Sequence, residues 1–429
     1  MRKFNIFFYL SSLFLMLSCS LYDNDFKINR FTNNKIQVKE EGWLFMIYVS
    51  GSGNLEGESL LDVTSMVDGY SKNINKNDLD IVILHDRGPG FSTDQGDWTG
   101  TYLYEVTDSG LKTINSVESW RDSIDQEESM GSQDTLDNFL TWAISNHSRE
   151  KQALILWNHG GGLSGQSIPE ARAVSWDTED SGDNINEALY VYEIQDTLKK
   201  HYNNQTQLDL LGFDACYMGM LEIGYEFKNI VNYMIASPAE ETGGWRYNDF
   251  IEKISKESLA EQIAKEIVSS YSNYSSTNNL PNTLTAFNLN EIEEVKDIIS
   301  HLVENIKALT DSEVLALRQS SMEYYPEADS VLYPYIDIGY FADQLSEFSS
   351  LELNLLDLKK SLNRVIVSSF NNLHSNTLEN YMGISIFFPE QKDDYKYQWW
   401  YTADDTGTFG NVDFCIDTSW KALMNRYFN

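Results

Sequence analysis

Several things are scarce in this 429-residue chain, and each scarcity removes a class of explanation. Cysteine occurs three times, at positions 19, 216 and 415, too sparsely for a disulfide scaffold. Basic residues number 31 against 65 acidic ones, a formal charge of −34. The acidic excess is spread along the chain rather than gathered in a tail. It argues against nucleic acid as a partner, because phosphates need a basic footprint. Six histidines, at 85, 147, 159, 201, 301 and 374, are scattered with no H-E-x-x-H, so no zinc-enzyme pattern forms. A G-x-S-x-G elbow is also missing, which removes the lipase and esterase reading of an HGGG motif. No internal repeat, heptad or low-complexity tract stands out.

What is present is a globular composition. Apolar residues make up 42% and aromatic residues 13%, enough for one large or two ordinary domains. The N-terminus reads as an export signal over residues 1–19. Arg2 and Lys3 give a basic start, Phe4 to Leu17 an apolar run too short to span a bilayer comfortably, and Ser18 stands before Cys19. The pattern resembles a bacterial lipoprotein signal, which implies that Cys19 becomes the lipidated first residue. An ordinary cleaved signal peptide is the alternative. Residues 20–41 are polar, Asn-rich and without periodicity, as expected of a tether. The chain is therefore expected to be exported and held by lipid at the cell envelope or surface, or else secreted.

From residue 42 to 251, strand-like apolar runs alternate with helical patterns. "WLFMIYVSG" (43–51), "LDIVILHD" (79–86), "QALILWNH" (152–159), "LDLLGFDA" (208–215) and "VNYMIAS" (231–237) are the strands. Runs this apolar, with helical crossovers between them, predict a mainly parallel sheet covered on both faces, an α/β/α sandwich. "TGTYLYEV" (99–106) is expected as an added hairpin arm. Residues 252–429 are mostly helical, with two strand-like pieces, "NTLTAFNL" (282–289) and "MGISIFFP" (382–389), as candidates to extend the sheet.

Ligands of open parallel sheets bind beyond the carboxyl ends of the strands. His159 and Cys216 each follow such an end, so both are expected to face one crevice. Gly160, Gly161 and Gly162 admit close backbone approach and can turn amides toward a developing oxyanion. Cys216 falls between a strand and the helical run "YMGMLEIGYEF", where a helix N-terminus and a nearby imidazole would favour the thiolate. A histidine that activates a thiol and protonates a leaving amine suffices for acyl transfer. His159 precedes Cys216 by 57 residues, the same order as in the caspase signature.

From about residue 43 to the C-terminus the sequence resembles the clostripain family of cysteine peptidases, which have a caspase-like fold. The blocks "WLFMIYVSGSGNLE", "ALILWNHGGG", "AVSWDTED", "LLGFDACYMGMLEIGYEF" and "SPAEETGGWRYNDF" carry the likeness. It implies that His159 and Cys216 are the catalytic pair and that the amides of Gly160 and Cys216 are the oxyanion donors. It also implies that Asp214 lines a pocket for a basic side chain before the scissile bond, with Arg preferred and Lys sometimes accepted. A carboxylate there suits a guanidinium through charge-assisted hydrogen bonds. The sequence departs from the pattern at Gly243, where a second acidic residue is common in such relatives; Glu240, Glu241 and Asp249 are the candidates to replace it.

The resemblance further implies that precursors cleave themselves between the histidine and the cysteine, with Lys199 and Lys200 as basic sites in that interval, and that some members need calcium. The acidic loop "DTEDSGDNINEA" (177–188) is the candidate calcium or processing region, with Asp177 able to orient a loop near His159, although it lacks EF-hand spacing. No cofactor is required by the chemistry. The expected protein is a monomeric, lipid-anchored cysteine endopeptidase acting on peptides or proteins. A surface binding module that keeps the peptidase fold without turnover is the alternative.

Overall fold

The computed structural model describes residues 39–96, 98–114, 128–163, 174–177, 187–324, 334–346, 355–373, 381–390 and 412–428. Residues 1–19, read from the sequence as an export signal with Cys19, most of the expected tether and residues 178–186 of the acidic loop lie outside them.

The first half follows the alternation of the sequence. It runs β1 (Glu40–Ser50), α1 (Glu56–Lys72), β2 (Leu79–Arg87), β3 (Gly100–Thr107), β4 (Gly110–Thr113), α2 (Gln133–Asn146) and β5 (Arg149–Trp157). After the short strands β6 (Val174–Asp177) and β7 (Glu187–Leu189) come α3 (Val191–His201), β8 (Leu208–Asp214), α4 (Leu221–Glu226) and β9 (Val231–Ala236). Then follow α5 (Tyr247–Ile251), α6 (Ala260–Asn278), β10 (Thr283–Asn288), α7 (Glu293–Ile306) and α8 (Asp311–Ser320). The chain continues through β11 (Tyr335–Asp337), α9 (Ile338–Ser346), α10 (Leu355–Val365), β12 (Ile366–Asn371) and β13 (Ser385–Phe387), with helices over Asp413–Asp417 and Trp420–Phe428.

Nine strands form one sheet in the order β12-β10-β9-β8-β5-β1-β2-β3-β4. The pairs β1 with β2, β5 with β8 and β8 with β9 are parallel, while β3, β4, β10 and β12 add antiparallel margins. Both faces are buried because both faces of each central strand are apolar. Leu44, Met46 and Tyr48 of β1 pack with Leu136 and Phe139 of α2 on one side. Phe45, Ile47 and Val49 pack with Val63 and Met66 of α1 and with Ile267 of α6 on the other. Period-2 burial on two faces is what a central parallel strand requires.

Two parts of the last third differ from the sequence expectation. The run "RVIVSSF", in the stretch expected to be mostly helical, leaves α10 at Val365 and becomes β12, paired antiparallel with β10. Its β-branched residues suit a half-buried edge better than another helical turn. "MGISIFFP" does not extend the large sheet: β13 pairs with β11 in a separate two-stranded ribbon. "NTLTAFNL", by contrast, joins the large sheet as β10.

One buried ion pair fixes the loop between β1 and α1. Glu56 Oε1 accepts from Arg87 Nη2 at 2.8 Å and Nε at 3.2 Å, and both side chains are fully enclosed. Arg87 also donates to the carbonyls of Ser92 and Gly96 and lies 4.5 Å over the Trp98 ring. Removing one partner strands a buried charge. Arg87→Ala is therefore expected to lower stability by about 3–5 kcal/mol, read as a lower urea midpoint; a change under about 1 kcal/mol would mean that the pair is dispensable.

Candidate active site

The β5–β8 pairing places the two central residues. In register, Trp157 lies opposite Asp214, so His159 and Cys216 each stand two residues past the same rung. Adjacent strands run about 4.8 Å apart, and the Asn158 amide still donates to the Asp214 carbonyl at 3.3 Å. The chains stay close beyond the last rung. A Cβ on Gly160 would lie 2.2 Å from the Cys216 carbonyl oxygen and 3.0 Å from its nitrogen, so only glycine fits there. Gly162 has φ of +66°, and a Cβ on it would press on Met220, Tyr335 and the Tyr217 carbonyl. The Tyr335 hydroxyl donates to the Gly161 carbonyl at 2.8 Å, so the second half of the chain braces the glycine turn.

Past Cys216 the chain turns sharply through Tyr217 at φ +62°, a left-handed conformation costly for a tyrosine. It is held by the Tyr217 amide on the Ala239 carbonyl and the Gly219 amide on the Ser237 carbonyl. Helix α4 begins at Leu221, with Met220 as its cap. The expectation of a helix N-terminus at the thiol is therefore corrected: the turn comes first, and the dipole's influence falls off within one turn of the helix end.

The electrostatics of the thiol run opposite to that expectation as well. Burial pushes the Cys216 thiol up to about 12, and the charges of Glu241, Glu240 and Asp214 add to the rise. The Glu241 amide, 3.4 Å from Sγ, opposes it. A neutral, protonated thiol at rest needs a base to become a nucleophile. His159 is half-buried, with Nε2 2.9 Å from Asn54 Oδ1.

Behind Cys216 lies a group of carboxyls. Asp214 is enclosed and accepts from the Tyr247 hydroxyl at 2.7 Å and the Trp245 amide at 3.5 Å. Glu241 Oε1 accepts from the Trp245 indole at 3.1 Å, while Oε2 is buried without a hydrogen-bond partner. Asp62 of α1 accepts from the Trp157 indole at 2.9 Å, and Gly244 is bare of a side chain where Asp62 comes close. Burial, and then the neighbouring acid, raise Asp214 and Glu241 well above the carboxylate range. Burial raises Asp62 to about 7, with the Trp157 indole and Arg246 opposing. Among the described residues no lysine or arginine forms an ion pair with any of the three carboxyls.

Gly243, at the position where the family likeness leads one to expect a second acid, is exposed with φ of +71°, a backbone that disfavours a side chain. Glu241, two residues earlier, turns inward instead. Glu240 is exposed, and Asp249 faces Arg246 at 3.9 Å. Cys415 is buried on the apolar core, and neither it nor Cys216 is in a disulfide. Lys199 and Lys200 are exposed in the last turn of α3, with Lys200 paired to Asp137. The Asp177 side chain lies outside what the structure describes. Among the described residues no group of three or more His, Cys, Asp or Glu is arranged to hold a metal. Asp62 and Asn54 escaped the sequence reading, although Asn54 follows a strand end as His159 and Cys216 do.

Comparison with known proteins gives one consistent result. The model of the clostripain family matches residues 47–427. Clostripain from Hathewaya histolytica is 28% identical, the match covering 95% of this chain and 91% of that protein. An inactive zymogen C11 protease from Parabacteroides distasonis superposes with a TM-score of 0.64 at 17% identity, over 89% of this chain and 99% of that one. A secreted C11 cysteine protease from Bacteroides thetaiotaomicron, in complex with an irreversible peptide inhibitor, superposes with a TM-score of 0.66 at 15% identity, over 89% and 100%.

If the acids hold the thiol protonated, Glu241→Gln lowers the thiol pKa by removing one of them. Iodoacetamide labelling of Cys216 at pH 8 is expected to speed up several-fold over the parent; an unchanged rate would show that burial alone sets the thiol.

Proposed function

The chain belongs to the clostripain family and is a cysteine endopeptidase, and from that premise we propose that it cleaves after Arg or Lys by a Cys216–His159 dyad. His159 takes the thiol proton as Sγ attacks the scissile carbonyl carbon, and the carbonyl oxygen becomes an oxyanion met by the amides of Gly160 and Cys216. Collapse of this intermediate breaks the C–N bond. The amine leaves with the proton from His159, and a thioester remains on Cys216. Water, deprotonated by His159, then attacks the thioester and releases the acid and the thiol.

The single observation that carries the specificity is the carboxyl set of enclosed Asp214 with half-buried Glu241 and Asp62, in which Arg246 attracts Asp62 but no described lysine or arginine forms an ion pair. Neighbouring carboxyls that raise one another in a partly enclosed site resist ionising together. A P1 guanidinium or ammonium supplies the missing positive charge, and the orphaned Glu241 Oε2 gains a donor. The acid that relatives carry at the position of Gly243 is thus replaced by Glu241 and Asp62.

Location follows from the N-terminus. Arg2 and Lys3, the apolar run to Leu17 and the pair Ser18-Cys19 support export and lipidation of Cys19. No described helix is long and apolar enough to cross a membrane, and one structural relative is described as secreted. Metabolic palmitate labelling is expected in the full chain and absent in Cys19→Ala; equal labelling of both would remove the anchor.

A P1-varied fluorogenic peptide library, run with and without calcium because of the acidic loop 177–188, tests the enzyme. Turnover after Arg and Lys is expected, lost in Cys216→Ala and kept in Cys415→Ala. Asp214→Asn and Glu241→Gln are each expected to cut kcat/KM for Arg and Lys peptides by about tenfold or more. Cleavage after other residues, or full activity of Cys216→Ala, would overturn the specificity or the dyad respectively.

A further inference from the structure

His159 stands on a loop, and an imidazole on a loop works as a base only if its ring and its tautomer are held. Its Nε2 lies 2.9 Å from Oδ1 of Asn54. A carboxamide oxygen accepts and cannot donate, so Nε2 carries the proton of the neutral ring and Nδ1 the lone pair. We propose that Asn54 is a positioning residue for the proteolytic reaction, holding His159 in the orientation and tautomer that make Nδ1 its base. The proposal rests on the dyad reading given above.

The surroundings of Asn54 are those of a built support. The Ser50 carbonyl, at the end of β1, accepts from the Asn158 side chain, which ties the residue before His159 to the strand that leads to Asn54. Gly53 turns the chain at φ +94°, and its carbonyl accepts from the Glu56 amide at 3.2 Å. Glu56 is locked in turn by Arg87 and by the Ser92 amide at 3.1 Å. Asn54 is thus the tip of a turn anchored on both sides by buried polar contacts, yet the residue itself is exposed. A tip that serves only the fold has no need to reach a histidine. When His159 takes the thiol proton, the Asn54 oxygen keeps accepting from Nε2–H, so the ring changes charge without turning over. Asn54 carries no charge, so it steers the imidazolium without neutralising it; a carboxylate in its place would raise the ring's basicity.

The test compares the full chain with Asn54→Ala, Asn54→Asp and Cys216→Ala on an Arg-P1 fluorogenic peptide from pH 5 to 10. Urea midpoints are measured alongside. For Asn54→Ala, kcat is expected to fall at least about tenfold with KM within about twofold and the urea midpoint unchanged. Asn54→Asp is expected to recover part of the loss, with the limb of the pH profile governed by His159 displaced to higher pH. If Asn54→Ala keeps kcat within about twofold, or if Ala and Asp lose activity equally with unshifted profiles, Asn54 is not a positioning residue, and the dyad stands so long as Cys216→Ala is inactive. If Cys216→Ala turns over normally, the dyad reading falls and this proposal with it.

Discussion

The register between β5 and β8 is the constraint on which the rest depends. With Trp157 opposite Asp214, the two chains leave the sheet at the same height, and the histidine and cysteine follow two residues later on each. A slip of one residue would turn every side chain of a strand to the other face. Asp214 would then leave the face it shares with Trp157, Trp245 and Tyr247, and His159 would no longer stand level with Cys216. The apolar residues of both faces oppose such a slip, because each central strand is buried on both sides. Packing therefore fixes the placement of His159 and Cys216, and Gly160 permits the close backbone approach that results.

Electrostatics then divides the site into two states. Burial comes first in keeping the proton on the Cys216 sulfur, and the neighbouring Glu241, Glu240 and Asp214 add to it. In the proposed reaction a basic P1 side chain neutralises the same carboxyls. In that proposal the groups that select the substrate also restrain the nucleophile. The Tyr247 hydroxyl and the Trp245 and Trp157 indoles donate to Asp214, Glu241 and Asp62 in turn and offset part of the cost of enclosing them.

Local patterning made much of this legible. The five runs read as strands between residues 43 and 237 are β1, β2, β5, β8 and β9, with ends displaced by up to three residues. Long apolar segments bounded by turns leave few alternatives. The failures have local causes too. "RVIVSSF" follows a good amphipathic helix without a break, so its change to an edge strand leaves no punctuation. The apolar "YMGM" after Cys216 has the pattern of a helix start, but tertiary hydrogen bonds to Ser237 and Ala239 draw it into a turn.

By itself the sequence determined the layered α/β class, the two strand ends bearing His159 and Cys216, and the family likeness. Each is written in contiguous residues whose periodicity or order can be read directly. Only the tertiary structure decided that Glu241 turns inward where Gly243 has no side chain, that Asp62 joins Asp214 and that Asn54 reaches His159. Those pairings join distant stretches of chain. They exist because α1, the loop before α5 and the strand ends are packed against one face and one edge of the same sheet, which no local pattern records.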